Sequence, residues 1–244
     1  GLPSVAIGFL ALRYLDDNIN QATWLTDKEK TLVRKDLDSQ GSAPEHSTIR
    51  AAFRLPETWL MSSIYFFLVM GLYGLNFWMP TIIQELGYED LVVNGVINMI
   101  PFGAAAVTMV LVGWNADRVN ERYWHIVVPA FIGAIALFAS IATQGSPILS
   151  IVALTVAACG IFSALPQTWG LVTTFVTGGA AAATIAIVNS IGNLAGFVGP
   201  FAIGLLKDMT GSTALGVGML ATSLVIGALI VLVVARKNKQ IQDV

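Results

Sequence analysis

Asn189 and Asn193 lie four residues apart inside IAIVNSIGNLAGFVGPFAIG, Ile185 to Gly204, a stretch with no charged residue. Each carboxamide offers two N–H donors and a carbonyl acceptor, the groups that hydrogen-bond a polyhydroxylated solute. Four residues is one helical turn, so both amides share a face, and Gly192 with Gly196 makes a small-xxx-small strip beside them. A buried amide without partners costs about 2 to 7 kcal/mol. The pair must therefore face other helices or a wet cavity rather than lipid. Interhelical amide bonds are worth only about 0.6 to 2 kcal/mol, so structural glue and a binding cavity both stay open as readings.

Other polar and aromatic groups sit at similar depth in apolar surroundings. In SSIYFFLVMGLYGLNFWMP, Tyr65, Tyr73 and Asn76 recur at i, i+8 and i+11 on one helical face, with Pro80 close by to loosen the backbone. In FSALPQTWG, Gln167 and Trp169 follow Pro166. Trp169 and Trp78 also fit an aromatic belt at the membrane boundary. Against these stands an absence: from Tyr123 to Leu206 there is no Asp, Glu, Lys or Arg. A proton relay needs a titratable group and an anion favours a positive partner, so both are expected elsewhere. His125 stands at a helix start and His46 in a polar segment, and neither suits that role. No His pair has metal spacing, Cys159 has no candidate base beside it, and Gly178 and Gly179 read as a tight turn rather than a phosphate cradle. No enzyme chemistry, metal site or cofactor is expected.

The elements that must carry these groups are membrane helices. The chain is 55% hydrophobic and 11% charged, with a mean hydropathy of +0.73, far from the soluble norm of about 25% charged. A net charge of -2 gives no basic field, so no nucleic acid partner is expected. The single Cys159 excludes an internal disulfide and reads as a small packing residue. Charge-free runs long enough to cross a bilayer occur at Thr58–Gln84, Leu91–Trp114, Trp124–Thr143, Pro147–Val172, Ala180–Leu206 and Ser212–Ala235. A transmembrane β-barrel would need shorter, alternating segments, which are absent. The expected fold is an all-α integral membrane protein with the lipid bilayer as its surroundings.

The remaining segments are read from their ends. Residues 1–14 are apolar but only about half a span, and without a basic flank they do not read as a signal peptide; they are expected to be the end of a helix whose beginning is absent. Residues 15–57 form the one long polar segment, in which Thr26-x-x-Glu29 is a capping box that predicts a helix from Asp27 to about Ser39, ending near Gly41. Its Leu32, Val33 and Leu37 make a weak apolar stripe. Residues 58–235 hold the six spans and residues 236–244 a short tail. Lys28, Lys30, Arg34, Lys35, Arg50 and Arg54, then Arg118 and Arg122, then Arg236, Lys237 and Lys239 fall on one side of the spans. Glu85, Glu89 and Asp90 fall on the other, where Lys207 is the exception. The positive-inside rule puts the basic segments, linker and tail included, on the cytoplasmic side.

GWNADRVNER, Gly113 to Arg122, lies between the second and third spans. Its Gly113-x-x-x-Asp117-Arg118-x-x-x-Arg122 pattern resembles the loop signature of the major facilitator superfamily, and in physical terms Asp117, Arg118 and Arg122 can form ion pairs that favour one packing of the neighbouring helices. FWMPTIIQELG, WLTDKEK, NERYWH and AAATIAIVNSIGNLAGFVGP further resemble the anion:cation symporter family within it. Where that family's loop usually reads Gly-Glu-Arg-Arg, this chain has Asn120, Glu121, Arg122 and Tyr123. The resemblance implies the carboxyl-terminal six-helix half of a twelve-helix transporter cut in its sixth helix. It implies a small organic anion substrate such as a sugar acid, tartrate or phthalate, commonly moved with H+. It implies a central site lined here by Tyr73, Asn76, Gln167, Trp169, Asn189 and Asn193. A carboxylate pair and an Arg are implied for the amino-terminal half. A self-assembling six-helix channel or scaffold and, more remotely, a membrane-embedded enzyme are the competing readings.

Overall fold

The computed structural model describes residues 2–16, 18–39, 49–175 and 181–242. Residues His46, Gly41, Gly178 and Gly179, and the expectations attached to them, lie outside the described residues. The chain divides into two compact units, residues 1–46 and 47–244.

The first unit holds α1 (Leu2–Tyr14) and α2 (Asp27–Ser39). The capping box forms as its residue types require. Thr26 donates its backbone N–H to Glu29 Oε2 at 2.9 Å and its hydroxyl to the same oxygen at 2.7 Å, while the Glu29 N–H donates to Thr26 Oγ1 at 3.4 Å. These bonds, the backbone one foremost, hold the Glu29 carboxyl below its ordinary pKa.

The second unit is a bundle. A short α3 (Ile49–Arg54) precedes α4 (Pro56–Glu85), α5 (Leu91–Val119), α6 (Tyr123–Ala142), α7 (Pro147–Phe175), α8 (Ala181–Thr210) and α9 (Ala214–Gln242). These six helices are long and apolar enough to cross a membrane, and no strand occurs among the described residues. The sequence placed all six, and the helices exceed the apolar runs chiefly at their carboxyl ends. Backbone hydrogen bonding continues where side chains turn polar, so Asp117, Arg118, Lys207 and Asp208 are helical, and α9 runs on into the expected tail.

The helix limits have local causes. Pro56 opens α4 in its first turn, where a missing N–H leaves nothing unpaired. Asp90 caps α5 by accepting from the Val92 and Val93 amides at 3.0 and 2.9 Å. Asn120, in the left-handed conformation at φ 51°, ends α5. Glu121 then accepts from the Trp124 amide and so caps α6.

Helices α4 and α7 lie at the centre. Helix α4 packs on α8, α9 and α7, and α7 on α6, α5 and α4, with α9 also against α6. Met61, Ile64, Leu68, Leu75, Ile126, Leu137, Leu154, Ile161, Leu220 and Leu224 are among the side chains fully withdrawn from solvent. Glycines permit the closest approaches. Leu224 and Leu220 of α9 seat on Gly71 and Gly74 of α4, and Gly160 of α7 rests against the α6 backbone at Pro129 and Gly133. Helices α5 and α8 keep the largest unburied shares of the six.

Candidate functional site

Helices α4 and α8 run side by side in the same direction, and their contacts advance in register. Thr58 meets Thr184, hydroxyl to hydroxyl at 3.4 Å. Gly192 lies beneath the ring of Tyr65, and Gly196 faces the ring of Tyr73. The Trp78 indole N–H donates to the Pro200 carbonyl at 3.0 Å, and Lys207 pairs with Glu85 at 3.0 Å. The Gly192–Gly196 strip thus brings α8 against the aromatic residues of α4, which fixes the direction in which the remaining polar residues point.

The amides of the opening stretch are neither sealed in a dry contact nor isolated. The Tyr73 hydroxyl donates to Asn193 Oδ1 at 3.2 Å. Asn193 Nδ2 donates to both the backbone oxygen and Oδ1 of Asn189, each at 2.8 Å. Tyr73 is 41% exposed, and Asn76, Asn189 and Asn193 are exposed with it on the open side of the α4–α8 pair. Asn76 donates Nδ2 back to the Leu72 carbonyl at 3.0 Å. Part of each amide's hydrogen-bonding need is met within its own helix, which lowers the cost of placing it at this depth. One connected run of hydrogen bonds therefore joins Tyr73, Asn193 and Asn189.

The two candidates on α7 separate. Trp169 meets Tyr65 edge-on, with ring centroids 4.8 Å apart at 64°, and so forms an apolar wall beside the Gly192 contact. Gln167 is buried and joins a different group, accepting from Arg122 Nη1 at 3.5 Å and lying against Gly113. Arg122 also pairs with Asp117 through Nη2 at 3.1 Å, and its guanidinium rests on Gly170, where a Cβ would collide with it. Arg118 stands apart from this group, with its guanidinium 5.5 Å from the centre of the Trp114 ring. The loop motif thus forms one cluster of Gly113, Asp117, Arg122 and Gln167 that ties the end of α5 to the end of α7. His125 bridges Glu121 and Asn115, at 2.9 Å to each.

Two groups were not singled out in the sequence. Asn94 donates to the Pro80 and Tyr88 carbonyls at 2.9 and 3.2 Å, and Asn98 donates to Asn94 Oδ1 at 3.1 Å. This pair has the same four-residue spacing as Asn189 and Asn193, which was the available signal. At the far end of the bundle, Glu85 holds Lys207 with one oxygen and the Thr213 N–H and hydroxyl with the other, at 3.2 and 2.5 Å. Among the described residues no cluster of three or more His, Cys, Asp or Glu is arranged to hold a metal.

Known proteins are similar to this sequence over nearly its whole length. The family model of the Major Facilitator Superfamily matches residues 1–200. A putative tartrate transporter of Agrobacterium vitis is 40% identical over 238 residues, covering 96% of this chain and 54% of its own. A quinolone resistance transporter of Acinetobacter baumannii is 34% identical over 240 residues, covering 97% and 55%. The putative metabolite transport protein NicT of Pseudomonas putida is 33% identical over 239 residues, covering 97% and 54%. The chain spans about half the length of the curated relatives it matches.

Proposed function

Because this chain belongs to the Major Facilitator Superfamily, we propose that it is the carboxyl-terminal half of a secondary transporter for a small organic anion. Its substrate is a sugar acid, tartrate or an aromatic carboxylate, moved across the cytoplasmic membrane by alternating access. The observation that carries this reading is the Tyr73–Asn193–Asn189 run on the open side of α4 and α8. Transporters of this kind place the substrate near the midplane, where two helical halves meet. A relative named for tartrate transport supports the anion, and the length of the relatives, about twice that of this chain, supports the second half.

Charge supports the same division of labour. The Asp, Glu, Lys and Arg residues of α4 to α9 stand within about two turns of a helix end, and none faces the Tyr73–Asn193 run at mid-depth. The amino-terminal half therefore supplies the positive partner of the anion and the titratable group that couples transport to H+. This half supplies hydrogen bonds and the aromatic wall of Tyr65 and Trp169. The Arg122 cluster at one end of the bundle and the Glu85–Lys207 pair at the other hold the helix ends while the two halves rock. The linker and tail face the cytoplasm, as their Lys and Arg content requires.

The test is uptake of radiolabelled tartrate, galactonate and phthalate into proteoliposomes. Accumulation of one of them by this chain together with its amino-terminal half, and none by this chain alone, is expected. Conductance by this chain alone would establish the channel reading in its place.

A further inference from the structure

The amides at this site have fixed orientations, and those orientations give the site a direction. A backbone carbonyl only accepts, so the Asn189 carbonyl requires Nδ2 of Asn193 on its side. Asn193 Oδ1 is thereby turned to Tyr73, whose hydroxyl must donate. The second bond of Asn193 Nδ2 requires Oδ1 of Asn189, which leaves both Nδ2 hydrogens of Asn189 without a partner among the described residues. By the same reasoning the Leu72 carbonyl fixes Nδ2 of Asn76 and turns its Oδ1 outward. The site therefore ends in a pair of donors at Asn189. Towards the other end it presents acceptors, the Tyr73 phenolic oxygen and Asn76 Oδ1. All three residues are exposed, so the free groups are open to a solute.

We infer that this polarity reads a hydroxylated acid in one orientation: the Asn189 amide N–H groups take the carboxylate, and Tyr73 Oη with Asn76 Oδ1 take a hydroxyl hydrogen of the same molecule. A carboxylate only accepts and so matches the donor end, whereas a hydroxyl can donate to the acceptor end. An acid without hydroxyls leaves the acceptor side of the Tyr73 oxygen and Asn76 Oδ1 desolvated and unpaired, which costs more than a missing contact. Tyr73 and Asn76 are then the residues that set specificity for the hydroxyl, and Asn189 the one in this half that holds the carboxylate beside the positive partner from the amino-terminal half.

The inference rests on the transporter reading, and its test separates the two. The intact transporter, this chain with its amino-terminal half, is assayed for uptake of two matched pairs, tartrate with succinate and galactonate with hexanoate. The hydroxylated member of at least one pair is expected to be taken up about 10-fold more efficiently than its partner, a factor typical of one hydrogen bond. Tyr73→Phe and, separately, Asn76→Leu shrink that ratio, because they weaken uptake of the hydroxylated member more than that of the plain acid. Asn189→Leu weakens both members of the pair alike and leaves the ratio intact. Among the described residues Asn76 bonds to its own helix alone, so Asn76→Leu preserves the fold even if Tyr73→Phe disturbs it. Equal uptake within both pairs, or a ratio that survives both acceptor-end variants, overturns the directional site while the transporter stands. No uptake of these acids or of phthalate overturns both.

Discussion

The ring of Tyr65 on α4 covers Gly192 of α8, so closely that a Cβ at position 192 would overlap it. The ring cannot swing aside freely because Trp169 packs edge-on against it. This contact sets the spacing of the two helices that carry Tyr73 and Asn193.

Gly192→Ala is therefore expected to destabilise the protein by about 1 to 3 kcal/mol through overpacking. Gly103→Ala, where an added Cβ meets nothing within 4 Å, is expected to be neutral or to stabilise by up to about 1 kcal/mol through helix propensity. Thermal unfolding of both variants in the same detergent checks the contrast.

At the opposite end of α4, Glu85 keeps Lys207 and Thr213 on separate oxygens. The two charged side chains of the pair are 26% and 29% exposed. A double-mutant cycle of Glu85→Ala and Lys207→Ala is expected to give a coupling of about 1 kcal/mol, reduced by salt. A coupling of zero would mean that Thr213 alone holds Glu85 in place.

Arg122 spans Asp117 and Gln167 with two different nitrogens while resting against Gly170. A lysine keeps the charge but cannot fork between two acceptors. Arg122→Lys is expected to lower the maximal uptake rate by about 10-fold while KM stays within about twofold, because the proposed role of the cluster is to hold helix ends rather than substrate. Initial-rate uptake measurements separate the two parameters.

The start of α2 carries a pH dependence whose sign follows from Glu29. Its carboxyl is held below the ordinary glutamate pKa by the Thr26 amide and hydroxyl. The stabilisation is fully present above the ordinary value and is lost as pH falls through the lowered one. Amide hydrogen exchange in the first turn of α2 is expected to speed up at acidic pH beyond its intrinsic pH dependence. Glu29→Gln is expected to remove that extra change.

The positions of the spans were legible because a run of about 20 uncharged apolar residues has few other uses. The start of α2 was legible because Thr26 and Glu29 satisfy each other locally. The glycine strip disclosed the contact face of α8 for a similar reason, since only small residues admit a neighbouring ring. Partner choice was harder to read. Gln167 and Trp169 are neighbours in sequence, yet two residues on a helix differ by about 200° in direction, so one joins Arg122 and the other Tyr65. Arg118 and Arg122 looked equivalent beside Asp117. Asn120 reverses the chain between them, and Arg122 makes the ion pair while Arg118 turns to Trp114. Such choices depend on how elements meet, which periodicity within one element does not encode.

Asn193 is the joint of the proposed site, accepting from Tyr73 and donating to Asn189. Uptake of the identified organic acid by the intact transporter carrying Asn193→Ala tests its role directly, with thermal unfolding measured on the same preparation. The expected result is a loss of transport efficiency of about 10-fold or more with unfolding nearly unchanged, since Asn193 is exposed and bonds chiefly to its own helix turn and to Tyr73. Wild-type affinity and rate in that variant would contradict a substrate site on this face of α4 and α8.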